Sequence, residues 1–304
     1  MGLKILKAAK ADIYNSLSNK YFESILDTSD EWIKKRTGIE FRKISDDSTS
    51  EIAKKSVDNL NLSTDEKKRI KLIIVSTVSP DYITPNISSI IHGHLKLPTD
   101  VFCMDINMAC AGFVGACINA EKFLKKDELA LIIGAEILTK YTNYSDRSSA
   151  ILFGDGSGAV LFEKNSEEFY CDYRTIGNNF DLEIKSNKFG GNQCIKMNGK
   201  EVFKFVIEQI PMSIISVLEK SKLSKEDIDF FVLHQANERM KNFIAKEFCE
   251  EKFYSNIKDY GNTSSASIPI ALSELYEKNL LKDKKIIISG FGGGLIFGTA
   301  YIRG

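Results

Sequence analysis

The stretch Asp105-Ile-Asn-Met-Ala-Cys-Ala-Gly-Phe-Val-Gly-Ala-Cys-Ile-Asn-Ala-Glu-Lys-Phe-Leu124 decides how this 304-residue chain is read. Val101-Phe-Cys-Met-Asp-Ile106 is an apolar run of strand length, and Phe113, Cys117, Ala120, Lys122 and Phe123 predict a stripe at helical spacing. Cys110 then falls in the turn between strand and helix. A thiol there faces the positive end of a helix dipole and free backbone N–H groups, which favour thiolate and lower its pKa. Gly112, Ala109 and Ala111 suit a turn that passes close to other backbone or to a substrate. The same stretch also fits a buried structural cysteine, since free cysteine is among the most buried residue types. A partner base has to decide between the two.

Composition narrows the classes of function. With 41 basic and 41 acidic residues the formal net charge is +0, so no bulk electrostatic partner such as nucleic acid or an anionic membrane is expected, although a local basic mouth is compatible. The N-terminal MGLKILKAAKADIY has no apolar core of signal-peptide length, and no run approaches the roughly 20 apolar residues of a membrane span. A cytoplasmic protein is expected. Cysteines at 103, 110, 117, 171, 194 and 249 form no CxxC pair, so neither a disulfide framework nor a zinc or other metal site is expected.

In chain order, Tyr21–Ile39 reads as a helix followed by a Thr-Ser-Asp cap that opens a second short helix, with Trp32 and Arg36 on one face. Residues 49–60 read as an amphipathic helix, 71–77 as a strand, 86–95 as a helix and 129–134 as a strand. Ile151-Leu-Phe-Gly-Asp-Gly-Ser-Gly-Ala-Val-Leu-Phe162 predicts two strands joined by a tight glycine-rich bend. No helix pattern opens after the glycines, so a phosphate cradle is not expected. From Phe162 to about Met197 the chain reads as irregular and polar around Gly190-Gly191.

The chain then starts again. Leu223 to His234 echoes Leu62 to Thr77, with His234 opposite Thr77 at an offset of 157. Asn262-Thr-Ser-Ser-Ala-Ser aligns with Asn107-Met-Ala-Cys-Ala-Gly at an offset of 155, which sets Ser265 opposite Cys110. Ile286–Gly290 matches Leu131–Ala135 at the same offset. Three elements in one order at nearly one spacing predict two duplicated α/β halves, residues 1–162 and 163–304. Residues opposite each other approach near the pseudo-twofold axis, at the strand ends where α/β sites form.

Only three histidines could partner Cys110. His92 and His94 flank Gly93 in or just after a helix and read as surface or packing residues. His234 ends an apolar strand and is followed by Gln235-Ala236-Asn237, polar surroundings that a core histidine does not need. Asn262 precedes a helix start and could be only its cap.

Taken together, TSDEWIKKRTGI, the ACAGF around Cys110, DRSSAILFGDGSGAV, HQAN, GNTSSAS and FGGG resemble the ketoacyl-ACP synthase III family of the thiolase superfamily, in its order and over nearly the full length. The resemblance implies a five-layered αβαβα thiolase-like fold, a homodimer and a Cys-His-Asn triad of Cys110, His234 and Asn262. It also implies an acyltransferase that condenses an acyl-CoA primer, acetyl-CoA first, with malonyl-ACP to give 3-oxoacyl-ACP and start fatty acid synthesis, without a metal or redox cofactor. The oxyanion hole would be Cys110 N–H and Gly293 N–H. Trp32, Arg36 and Arg147 would bind CoA, Thr84 and Phe203 would line acyl pockets, and Arg239 and Lys246 would dock the acyl carrier protein. Thr84 stands where acetyl-preferring members have phenylalanine, so longer primers are expected to fit. Met108, Ile296 and Phe297 depart from the family's usual residues. Two alternatives are a relative serving a surface-glycan or polyketide pathway and a non-catalytic dimeric binding protein, which should have lost a triad residue.

Overall fold

A computed structural model describes residues 2–185 and 193–304; Gly190-Gly191 lie outside the described residues. The strands are β1 (Gly2–Lys10), β2 (Ile70–Ser76), β3 (Phe102–Ile106), β4 (Leu129–Glu136), β5 (Gly156–Asn165), β6 (Tyr170–Asn179), β7 (Phe230–Leu233), β8 (Lys285–Gly292) and β9 (Gly294–Arg303). They form one mixed sheet in the order β7-β8-β9-β1-β5-β4-β2-β3, with β6 on β9. The helices that build the layers are α1 (Asp30–Thr37), α2 (Thr49–Asp58), α3 (Ile87–Leu95), α4 (Gly112–Phe123), α5 (Gly199–Ser221), α6 (Glu238–Ala245) and α7 (Ser267–Glu277).

The layering follows from the two-residue period of strands buried on both faces. In β2, Leu72 and Ile74 face a central core with Phe113, Val114 and Cys117 of α4 and Ile268, Ala271 and Leu275 of α7. Ile70, Ile73 and Val75 of the same strand face the other way, onto Ala53 and Val57 of α2 and Ile87 and Ile91 of α3. The second half repeats this division. Ile286 and Ile288 of β8 join the central core, whereas Ile287 packs on Val206, Ile210 and Ile214 of α5 and Ile244 of α6. The β1-β5-β4-β2-β3 and β7-β8-β9-β6 parts of the sheet meet at one register pair, Lys4 of β1 with Arg303 of β9, and form two layers, so helices, strands, helices, strands and helices stack in five layers with α4 and α7 in the middle.

The central helices start in the same way. Ala109 (φ 46°) and Ser264 (φ 49°), 155 residues apart, each hold a left-handed backbone, and each leads through a 3-10 turn into its helix. Non-glycine residues occupy that region at a cost, so two such positions at one offset mark a local geometry the fold enforces.

Two expected elements differ. Only Gly156–Asn165 of the glycine-rich segment is a strand; its first half contributes a single bridge, Phe153 with Asn262. The glycines serve close packing, since a Cβ on Gly158 would lie 2.6 Å from Ile270 N. The stretch after Phe162 contains the ten-residue strand β6. Among the described residues that strand pairs only with β9, and Tyr173, Arg174 and Thr175 are exposed, so the polar residues that read as irregular belong to a sheet edge. Among the residues that depart from the family, Met108 lies over Gly115, where any Cβ would collide with its sulfur, and Phe297 packs edge-on against Phe205 at 5.6 Å.

Candidate active site

Cys110 occupies the 3-10 turn Ala109–Ala111 between β3 and α4, as the strand-to-helix reading predicts. The end of β8 runs along it: a Cβ on Gly292 would lie 2.7 Å from Cys110 N, and one on Gly290 would lie 3.0 Å from Cys110 O. Gly290 and Gly292 are thus what allows the β8 backbone to approach Cys110. Burial pushes the Cys110 thiol up to about 12, and the nearby Glu136 carboxylate pushes in the same direction. This corrects the lowering expected from the helix start, because burial outweighs the hydrogen bonds from Ser264 and from the local backbone that lower it.

His234 follows β7 and is fixed through its backbone, His234 N donating to Ser289 O at 2.8 Å. Its Nδ1 lies 2.8 Å from Ser267 Oγ, and its ring meets Phe291 edge-on at 5.1 Å. Burial lowers its pKa to about 3, so the imidazole is neutral at physiological pH. Asn262 is clamped by Asn262 N donating to Leu152 O at 2.9 Å and Gly154 N donating to Asn262 O at 3.0 Å. Its side chain also caps, with Oδ1 accepting from Ser264 N at 2.9 Å. That bond fixes the amide orientation and leaves Nδ2 as the donor.

A cavity of about 900 Å³ joins these residues to the surface. Cys110, His234, Asn262 and Gly293 line it, and so do Trp32, Arg36, Arg147, Phe203 and Arg239. Trp32, on α1, is 36% exposed, and Ser29 caps that helix by accepting from Trp32 N at 3.1 Å. The Arg36 and Arg147 guanidinium carbons lie 5.6 and 5.0 Å from the Trp32 ring centroid, so three aromatic and cationic planes converge at the exposed end. Arg147 is held by donating Nη1 to Asp27 O at 2.7 Å. Arg239 lies over Phe203 at 5.6 Å. Lys246, just beyond the C-terminal end of α6, and Thr84 are both exposed and line no part of this cavity.

The residue-by-residue reading missed the support behind Cys110, His234 and Asn262. Ser264 contributes three groups: its N–H to Asn262, its carbonyl to Ser267 Oγ at 2.9 Å, and a buried hydroxyl that lines the cavity. Fully buried Glu136 accepts from Ser79 Oγ (2.8 Å), Val78 N (3.0 Å) and Ser265 Oγ (2.8 Å). Those hydroxyls and that amide satisfy the carboxylate, whose pKa burial nevertheless raises. The available signals were the run of small polar residues from Asn262 to Ser267 opening an apolar helix, and one acid ending an apolar strand.

Residues 104–177 match the family model described as 3-oxoacyl-[acyl-carrier-protein (ACP)] synthase III, and residues 218–304 match that of its C-terminal part. The chain is 39% identical over 323 residues to the beta-ketoacyl-[acyl-carrier-protein] synthase III of Streptococcus uberis, covering 99% of this chain and 98% of that protein. It is 41% identical over 308 residues to the Clostridium novyi protein of the same name, covering 95% of each. Among solved structures, 3-oxoacyl-[acyl-carrier-protein] synthase III from Aquifex aeolicus is similar at a TM-score of 0.90 and 33% identity, covering 100% of both chains. Among the described residues no helix is long and apolar enough to cross a membrane.

Proposed function

The chain belongs to the 3-oxoacyl-[acyl-carrier-protein] synthase III family, and from that premise we propose how its own residues carry out the decarboxylative condensation of an acyl-CoA primer with malonyl-ACP. Cys110 Sγ gives up its proton and attacks the primer's thioester carbonyl, the carbonyl oxygen is held by Cys110 N–H and Gly293 N–H, and the bond to CoA breaks, so that the acyl group stays on Cys110 and CoA leaves with the proton as the free thiol. Malonyl-ACP then loses carbon dioxide, and negative charge moves onto the thioester oxygen of the enolate. His234 Nε2 and Asn262 Nδ2 donate to that oxygen. The enolate carbon attacks acyl-Cys110, the acyl–sulfur bond breaks with Cys110 leaving as a thiolate that takes up a proton, and 3-oxoacyl-ACP departs. The steps need no metal or redox cofactor.

The observation that carries this reading is the single cavity lined by Cys110, His234, Asn262 and Gly293 together with Trp32, Arg36 and Arg147. Trp32 with the two guanidinium groups would hold the adenine of CoA, and the acyl chain would lie towards Phe203. Arg239 and Lys246, seven positions apart and so on one side of α6 and its end, would dock the acidic carrier protein. The two halves are residues 1–162 and 163–304.

A homodimer formed over β3 is part of the proposal. Among the described residues this strand pairs only with β2, and Phe102 at its start and Phe123 of α4 are exposed and stacked at 5.3 Å. An unprotected strand edge beside exposed aromatics is what a second copy would cover. Tyr82 and Ile83, also exposed, adjoin Thr84, which would reach the partner's acyl pocket. The location would be cytoplasmic.

The test is incubation with a panel of acyl-CoAs and malonyl-ACP, read by intact mass of the protein and of the carrier. An acyl adduct on Cys110 and 3-oxoacyl-ACP are expected. No adduct from any primer would overturn the reading.

A further inference from the structure

Ser267, in the first turn of α7, sits behind the histidine and on the far side of the ring from the reaction. Its Oγ lies 2.8 Å from His234 Nδ1 and 2.9 Å from Ser264 O, and it accepts from Gln235 N at 3.3 Å. One hydroxyl proton therefore faces two acceptors. Ser264 O already has a donor, since the 3-10 turn closes with Ser267 N donating to it. The ring's other partner among the described residues is the Ser264 carbonyl, which can bond only a protonated ring nitrogen. A neutral imidazole carries one proton on one of its two nitrogens, and the hydrogen bond made by one nitrogen decides which. Sending the Ser267 proton to Nδ1 gives every one of these buried groups a partner: Gln235 N–H to Oγ, Oγ–H to Nδ1, and Ser267 N–H to Ser264 O. Sending it to Ser264 O doubles the donors on a carbonyl already served and crowds two N–H groups onto one oxygen.

We propose that Ser267 is a positioning residue whose hydroxyl donates to His234 Nδ1 and thereby holds the ring as the Nε2–H tautomer, with that N–H available to the cavity. The assignment rests on the condensing reading for its consequence but not for its observation, which concerns the resting protein alone. Without the hydroxyl, Ser264 O becomes the nearest acceptor for Nδ1, the ring adopts Nδ1–H, and Nε2 presents a lone pair to the enolate oxygen where a donor is required. Transfer of the acyl group to Cys110 does not use this N–H.

The test has two arms on the full chain. Nitrogen-15 histidine NMR of wild type, with the His234 signals identified by their loss in His234→Asn, should give Nε2–H at neutral pH, and Ser267→Ala should give Nδ1–H. Ser267→Ala should then lower malonyl-ACP decarboxylation by about 10²-fold, the loss that follows removal of one oxyanion donor, with acyl transfer changed only a few-fold. Ser267→Thr, which keeps the hydroxyl, should restore the wild-type tautomer and most of the decarboxylation. An Nδ1–H signal in wild type overturns the proposal, as does an unchanged tautomer in a folded Ser267→Ala protein, or equal loss of both half-reactions. If the tautomers behave as stated but no acyl-CoA labels wild-type Cys110, the condensing reading fails while the tautomer assignment stands.

Discussion

The two half-reactions should come apart on mutation, because the triad members contribute different things to them. Burial takes His234 from its ordinary 6.5 to about 3, so at pH 7 only about one ring in ten thousand is charged. The ring therefore contributes as a neutral donor. Removing one such donor from an enclosed site costs about 2.7–4 kcal/mol, or about 10²–10³ in rate. His234→Ala and Asn262→Ala should each lose that much malonyl-ACP decarboxylation while still taking an acyl group from acyl-CoA. The double variant should lose less than the product of the two, because Ser264 bonds Asn262 through its N–H and reaches Ser267, the neighbour of His234, through its carbonyl. Cys110→Ala should do the reverse, abolishing acyl transfer and leaving carbon dioxide release. Radiolabelled acyl transfer to protein and carbon dioxide release, measured separately on each variant, decide the matter. If His234→Ala could not be acylated yet decarboxylated normally, His234 would be the general base for Cys110 and this division would be reversed.

Other outcomes follow from single distances and burials. A thiol at about 12 is deprotonated as pH rises, so alkylation of Cys110 by iodoacetamide should accelerate about tenfold per pH unit from pH 6 to 9; a plateau below pH 8 would show a stabilised thiolate instead. A base between Trp32 and Arg147 needs two contacts of about 3.5 Å each, so the guanidinium now 5.0 Å from the ring must move outward by about 2 Å on CoA binding. Trp32→Ala should weaken CoA binding by about 1–3 kcal/mol in calorimetry, and an unchanged affinity would remove the stacking role. Gly158→Ala sets a Cβ 2.6 Å from the backbone of α7 and should cost about 1–3 kcal/mol in urea unfolding, whereas Gly93→Ala, at an exposed position of α3 with nothing within 4 Å, should add about 0.5–1 kcal/mol.

How much of this molecule could be read from its sequence depends on the range of the interaction concerned. Local pattern determined the elements that carry function. The apolar run to Ile106, the small residues around Cys110 and the stripe from Phe113 follow from strand and helix periods, and Ser29 caps α1 where the Thr-Ser-Asp signal predicts a cap. The internal repeat set Ser265 opposite Cys110, and the paired left-handed residues Ala109 and Ser264 occur at that same offset. The six motifs pointed to the family, and through it to the residues that share one cavity. Tertiary structure alone decided three things. The polar stretch after Phe162 contains a strand because an edge position buries only one side of it, and no local period shows which neighbour lies beside a strand. Cys110 is held high rather than low in pKa because it is buried against β8 and faces Glu136, which lie 26 to 182 residues away in the chain. The hydroxyl behind His234 comes from Ser267, 33 residues on, and only the packing of α7 against the end of β7 brings the two to 2.8 Å. Burial and hydrogen-bond partners are properties of the folded surroundings, and a pattern confined to neighbours along the chain does not contain them.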